Sequence, residues 1–216
     1  MNRHDVLIAE LSSELAPGKP RPDINLVAAG WLLLSAVYVV LVTHLFGPIR
    51  PNSLSQLAHE PRFLLENLLG LAAIGLTAVA AFRSAIPGAL GAGLIRVAAA
   101  SMALWLASYV VGLFNPALEP SMLGKRDHCL IETFIYALPP VLAALLLVRR
   151  LYPLTPMRTA VALSLAAGML PALYMQLACM YAPEHILKFH ILPGMTVMFV
   201  GAGLAVMLLI KRPRRV

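Results

Sequence analysis

Apolar residues run through this chain in long blocks, broken at intervals by short clusters of charge, proline and glycine. Six blocks reach the roughly 20 residues that a helix needs to cross the ~30 Å hydrocarbon core of a bilayer. They are Leu26–Phe46, Phe63–Phe82, Leu94–Phe114, Leu130–Val148, Thr159–Cys179 and Ile191–Ile210. The pattern predicts an all-α fold, a polytopic bundle of six transmembrane helices over residues 26–210. The connections carry turn chemistry: Pro48, Pro51 and Asn52, then Pro87-Gly88, Pro116, Pro120 and Gly124, then Pro153 and Pro156. Residues 180–190 read as a tight polar loop. Pro139-Pro140, Pro171 and Pro193 fall inside spans, where each frees a backbone carbonyl and can kink its helix. Glycine and alanine are dense in several spans, which lets helices approach closely.

The chain ahead of the first span follows a different pattern. Leu7, Ile8, Leu11 and Leu15 share one face of a helix, and Asp5, Glu10, Ser12, Ser13 and Glu14 take the others. Pro17-Gly18 ends that helix, and Pro20 and Pro22 keep the following linker extended. Residues 1–25 are therefore expected to be an amphipathic helix and a proline-rich linker. A lone helix of three turns is marginal in water and needs a surface to lie on. Helices that rest on membranes are usually basic on their polar face. This one is net acidic, which favours the groove of a partner protein. Asp5, Glu10, Glu14 and Asp23 also argue against a cleaved signal peptide, so the first span is expected to stay as an anchor.

Composition narrows the class further. Hydrophobic residues make up 60% of the chain, and charged residues only 12%. Mean hydropathy is +0.81, which leaves no room for a separate soluble domain. The net charge of +7 is explained by topology. Of 17 Lys and Arg, 12 fall on one side of the predicted bundle: Arg3, Lys19, Arg21, Arg83, Arg96, Arg149, Arg150, Arg158, Lys211, Arg212, Arg214 and Arg215. The other 5 are Arg50, Arg62, Lys125, Arg126 and Lys188. The positive-inside rule puts the richer side, both termini and the basic tail 211–216 in the cytoplasm. These charges are drawn to anionic lipid headgroups. They are split among short segments, so direct nucleic-acid binding is not expected.

The chemistry gathers on the opposite, external side. Cys129 opens the fourth span and Cys179 closes the fifth. Glu132 shares a helix face with Cys129, Met180 adds a second soft sulfur beside Cys179, and His185 lies in the adjoining loop. Cys129, Cys179, Glu132, Met180 and His185 are the candidate ligands for a bound Cu or Zn ion, since thiolate, thioether and imidazole suit those metals. Three readings of the cysteine pair compete: a reversible redox pair, a metal site, or a structural disulfide or unrelated buried thiols. No cofactor is required by any motif. No phosphate-binding glycine loop and no Ser/His/Asp set can be placed, so an enzyme is not expected. Glu66, Glu132, His44 and Arg96 each lie near a span end, and Gln176 is the deepest polar group of the fifth span. They do not mark out a transport path.

Several short motifs together resemble a known family. They are His59-Glu60-Pro61-Arg62-Phe63-Leu64, Cys129-Leu130-Ile131-Glu132, Ala137-Leu138-Pro139-Pro140 and Leu177-Ala178-Cys179, set in six spans behind a short amphipathic leader. The chain resembles the NrsF family, six-span anti-sigma factors of the bacterial inner membrane. It departs from the family at Ala178, where members often carry histidine. The resemblance implies that the chain holds an extracytoplasmic-function (ECF) sigma factor inactive at the membrane and releases it under heavy-metal or related stress. It also implies that Cys129 and Cys179 are the periplasmic pair needed for the response. Leu7, Ile8, Leu11 and Leu15 become the candidate sigma-binding face. The alternative is a small transporter or metal-handling membrane protein built on the external Cys/Met/His cluster. A disulfide-exchanging oxidoreductase is a third reading, weakened by the absence of a Cys-x-x-Cys motif. Oligomeric state is not determined by any of these features.

Overall fold

In the computed structural model, which describes residues 2–13, 22–151 and 153–210, each apolar block is a helix whose ends follow from local chemistry. The N-terminal helix α1 spans Arg3–Ser13. Asp23 caps α2 (Ile24–Phe46), its carboxylate accepting the Asn25 N–H at 2.8 Å. After a turn through Asn52, whose φ is +60°, comes the short α3 (Ser53–His59). Pro61 and Pro156 start α4 (Pro61–Ser84) and α7 (Pro156–Ala178), where a missing N–H costs nothing. Between these two lie α5 (Ala92–Gly112) and α6 (Cys129–Arg149). The last helix, α8, runs through Pro183–Ile210. Six of these helices, α2 and α4 to α8, are long and apolar enough to cross a membrane. Among the described residues there is no strand, only an isolated bridge between Ser121 and Tyr181.

The last helix departs from expectation. Its apolar pattern starts at Ile191, but the helix starts at Pro183 and absorbs most of the predicted loop. Pro183 supplies a preset first φ, and Glu184 pairs with Lys188 one turn on, at 2.5 Å. Polar side chains lowered the hydropathy of this stretch without weakening its helical geometry.

Helix α7 is the axis of the bundle. Of its most apolar window 72% is buried, against 28% for α2 and 22% for α5. Its neighbours α4, α6 and α8 surround it, α2 lies across α4 and α6, and α5 packs on α4. The tightest seam joins α7 to α8 through small residues. A Cβ on Gly194 would lie 2.7 Å from the Gly168 carbonyl, and one on Gly201 would strike the Ser164 hydroxyl. Pro139, Pro140 and Pro171 stay within continuous helices. The Trp31 indole N–H donates to the Pro140 carbonyl at 2.9 Å and ties α2 to α6. The outer face is apolar and exposed, with Leu33, Leu34, Leu104 and Phe199 among its side chains. Every residue of α1 is exposed, including Leu7, Ile8 and Leu11. Leu15, the Pro17-Gly18 stop and the tail 211–216 lie outside the described residues.

Candidate functional site

Antiparallel packing of α6 and α7 sets Cys129, the first residue of one helix, beside Cys179, which follows the last residue of the other. The two sulfurs are 3.2 Å apart, both are free thiols, and both are buried. The Cys179 N–H still closes onto the Met175 carbonyl at 2.8 Å, so the thiol is held at the helix end.

The chain leaves that end along a fixed route. Arg50 N–H donates to the Ala178 carbonyl and Ser121 N–H to the Tyr181 carbonyl, each at 2.8 Å. The Tyr181 hydroxyl accepts the Ala117 N–H at 2.9 Å. These bonds direct α8 to begin above the thiols. A π-helical turn then occupies Leu187–Ile191. At 3.6 residues per turn, positions five apart point about 140° away from each other. A π turn, with its i→i+5 bonds, brings them onto one face. The rings of His185 and His190 consequently meet, with centroids 5.1 Å apart.

One ligand atom from each of Cys129, Cys179, His185 and His190 lies within 4.8 Å of all the others. The Cys179 sulfur is 3.6 Å from His185 Nε2. His190 is fully buried, with Nδ1 3.3 Å from the Thr133 hydroxyl. That hydroxyl donates to the Phe189 carbonyl at 3.4 Å, so it accepts from Nδ1–H and leaves Nε2 with a lone pair. Nε2 has no hydrogen-bond partner. Either sulfur can donate its proton to the other, and His185 and His190 stand beside Cys179. The one proton of the Cys129 thiol is also within reach of the Arg126 carbonyl, at 3.2 Å.

Of the candidate ligands, Cys129, Cys179 and His185 come together, and Met180 is buried against the two sulfurs. Glu132 does not join them. Its carboxylate accepts from Arg126 Nε at 2.7 Å and Nη2 at 3.3 Å. Arg126 is itself buried and needs that counter-charge. His190, which lies in the same external segment, is the member that the sequence pattern did not single out as a ligand. A cleft of about 500 Å³, lined by Met122, Lys125, Met180 and His185, opens from the surface onto Cys129.

Elsewhere at this end, several polar groups have close partners. Tyr109 donates to Gln176 Oε1 at 2.6 Å, Glu66 meets Arg62 at 3.5 Å, and His44 Nε2 lies 2.8 Å from the Tyr174 hydroxyl.

A family model described as NrsF, negative regulator of sigma F, matches residues 11–210, from within α1 to the end of α8. No curated protein and no solved structure matches.

Proposed function

The chain belongs to the NrsF family of negative regulators of sigma F, and on that premise we propose that it is an inner-membrane anti-sigma factor with an external thiol sensor. It is not an enzyme. Both termini lie in the cytoplasm, where α1 holds an ECF sigma factor. The cluster at Cys129 and Cys179 faces the periplasm, and its reaction with a metal ion or an oxidant under stress releases the sigma factor. A bound Cu or Zn ion at that site is an input signal and not a structural requirement.

The observation that carries this reading is the family match over nearly the whole chain. The state of α1 supports the division of labour. Leu7, Ile8 and Leu11 are more than half exposed, so the apolar stripe has no cover from the bundle. A sigma factor has apolar surface that it otherwise applies to RNA polymerase, and an amphipathic helix can fill such a groove. The runner-up, a small metal transporter, needs polar groups strung through the membrane interior. The ionisable groups Glu66, Glu132 and His44 are instead tied to close partners at one end.

The test is co-purification of a sigma factor with the tagged full chain from detergent-solubilised membranes. Leu11→Asp puts a charge in the middle of the stripe and is expected to release the sigma factor while membrane insertion is unchanged. Undiminished retention by this variant would remove α1 from the mechanism, and failure of the parent chain to retain any sigma factor would remove the proposal.

A further inference from the structure

We propose that Cys129, Cys179, His185 and His190 form a four-coordinate site for one d10 metal cation, with His190 ligating through Nε2. This rests on the sensor reading above and names the ligand that the sensor takes.

Ligand spacing supports it first. With metal–sulfur bonds of about 2.3 Å and metal–nitrogen bonds of about 2.0 Å, a tetrahedral site separates its ligand atoms by roughly 3.3–3.8 Å. The sulfurs stand 3.2 Å apart, and the Cys179 sulfur is 3.6 Å from His185 Nε2. Shifts of a few tenths of an ångström complete that part of the shell.

Donor type supports it next. Two thiolates and two imidazoles favour zinc-group and coinage-metal ions, while calcium and magnesium require oxygen. The fully buried Nε2 of His190 has no hydrogen bond, and within the cluster it carries a lone pair that needs a partner. Thr133 fixes the ring through Nδ1, the arrangement that orients a ligating histidine in metal sites. The charge also closes. Two thiolates neutralise a divalent cation. A monovalent cation leaves one negative charge, and the Arg50 guanidinium lies nearby to offset it. That side chain is buried, donates to the Gln176 carbonyl at 3.3 Å, and pairs with no carboxylate among the described residues.

Binding is a cation-for-proton exchange without redox change. The cation enters through the cleft over Cys129, two sulfur–metal bonds form, and the remaining thiol protons pass to water. A Cys129 thiolate can no longer donate to the Arg126 carbonyl, so coordination loosens the thiol's hold on the loop before α6.

The experiment titrates the reduced full chain, in detergent, with Zn²⁺, Cd²⁺ and Ag⁺. It reads bound metal by elemental analysis and thiolate-to-cadmium charge transfer by ultraviolet absorption. One ion per chain is expected, and the arms separate a divalent from a monovalent preference. Cys129→Ser or Cys179→Ser removes a thiolate from the spectrum. His190→Ala weakens binding at least tenfold. Thr133→Val weakens it about tenfold with the spectrum intact, the size expected for loss of an orienting partner. Thr133→Ser keeps the hydroxyl and restores affinity, which separates positioning from misfolding. Parental affinity in both His185→Ala and His190→Ala would overturn the four-ligand site and leave a two-cysteine one. Absence of metal binding, with sigma release on treatment with the thiol oxidant diamide, would overturn the metal site and leave the thiol sensor standing. If neither metal nor diamide released the sigma factor, the sensor reading itself would fail.

Discussion

Arg126 governs the geometry around the thiols without touching their sulfurs through its own side chain. Its guanidinium makes a two-point contact with Glu132 and donates through Nη1 to the Thr43 and Pro48 carbonyls, at 3.2 and 2.7 Å. One side chain thus fixes the loop before α6, the end of α2 and the first turn of α6. Gly47 leaves the space it needs, since a Cβ there would stand 2.5 Å from the guanidinium carbon. Removing one partner of a fully buried ion pair costs about 3–5 kcal/mol, and the cost here is smaller because the Glu132 left behind is only partly buried. Arg126→Met is therefore expected to lower the thermal unfolding temperature of the detergent-solubilised chain and to speed the reaction of Cys129 with a bulky maleimide. The double variant Arg126→Met, Glu132→Leu removes both charges and should recover much of the lost stability. A double variant no more stable than the single one would mean that Arg126 acts through the Thr43 and Pro48 carbonyls instead.

At the level of elements, the spans were legible because a bilayer demands a run of apolar residues whatever the tertiary contacts. The site was legible only in part. Cys129 and Cys179 could be paired from topology, since two antiparallel helices end at the same depth. His190 could not, because helical periodicity points it away from His185 and only the π turn over Leu187–Ile191 reverses that. The pairing of Glu132 with Arg126 was not legible, because the loop that folds Arg126 back onto it leaves no periodic trace. The π turn matters only if α8 sits tightly on α7, and that seam is built from glycine. A Cβ on Gly168 would meet the Gly194 carbonyl and stand 2.8 Å from Val197 Cβ. Gly168→Val should force α8 outward at a cost of about 3 kcal/mol or more. It moves both histidines and leaves the contact between α6 and α7 alone. The expected result is a chain that still forms the Cys129–Cys179 disulfide on oxidation but binds Cd²⁺ more weakly. Equal loss of both properties would point to general collapse of the bundle.

For the whole molecule, the question is how an event at one end reaches a helix beyond the other. The charge distribution supports the proposed orientation more strongly than a simple count does, because Arg50 and Arg126, on the poorer side, are buried inside the fold. The remaining basic residues there are Arg62, Lys125 and Lys188, and Lys188 is paired with Glu184. The cluster joins the ends of α6, α7 and α8, and α7 is the most buried of the spans. Release of a bound protein requires two states that the input ligand distinguishes. Moving such an equilibrium from 1:99 to 99:1 takes about 5.5 kcal/mol of preference. Structural zinc sites bind with about 10–16 kcal/mol, so a cluster that is complete in only one state supplies enough. On the proposed reading each cysteine is needed for the signal and not for retention, because the sigma-binding face proposed on α1 includes neither. Cys129→Ser and Cys179→Ser are each expected to leave sigma binding intact and to keep target transcription low when Cd²⁺, Ag⁺ or diamide is added, at normal protein levels. Serine preserves the local volume, so the resting packing survives while soft-metal coordination and disulfide formation are lost. Transcription is read from a reporter on a sigma-dependent promoter, with membrane abundance measured alongside. Induction of the double variant to the parental level would show that the thiols do not carry the signal and would leave the pair a purely structural role in the bundle.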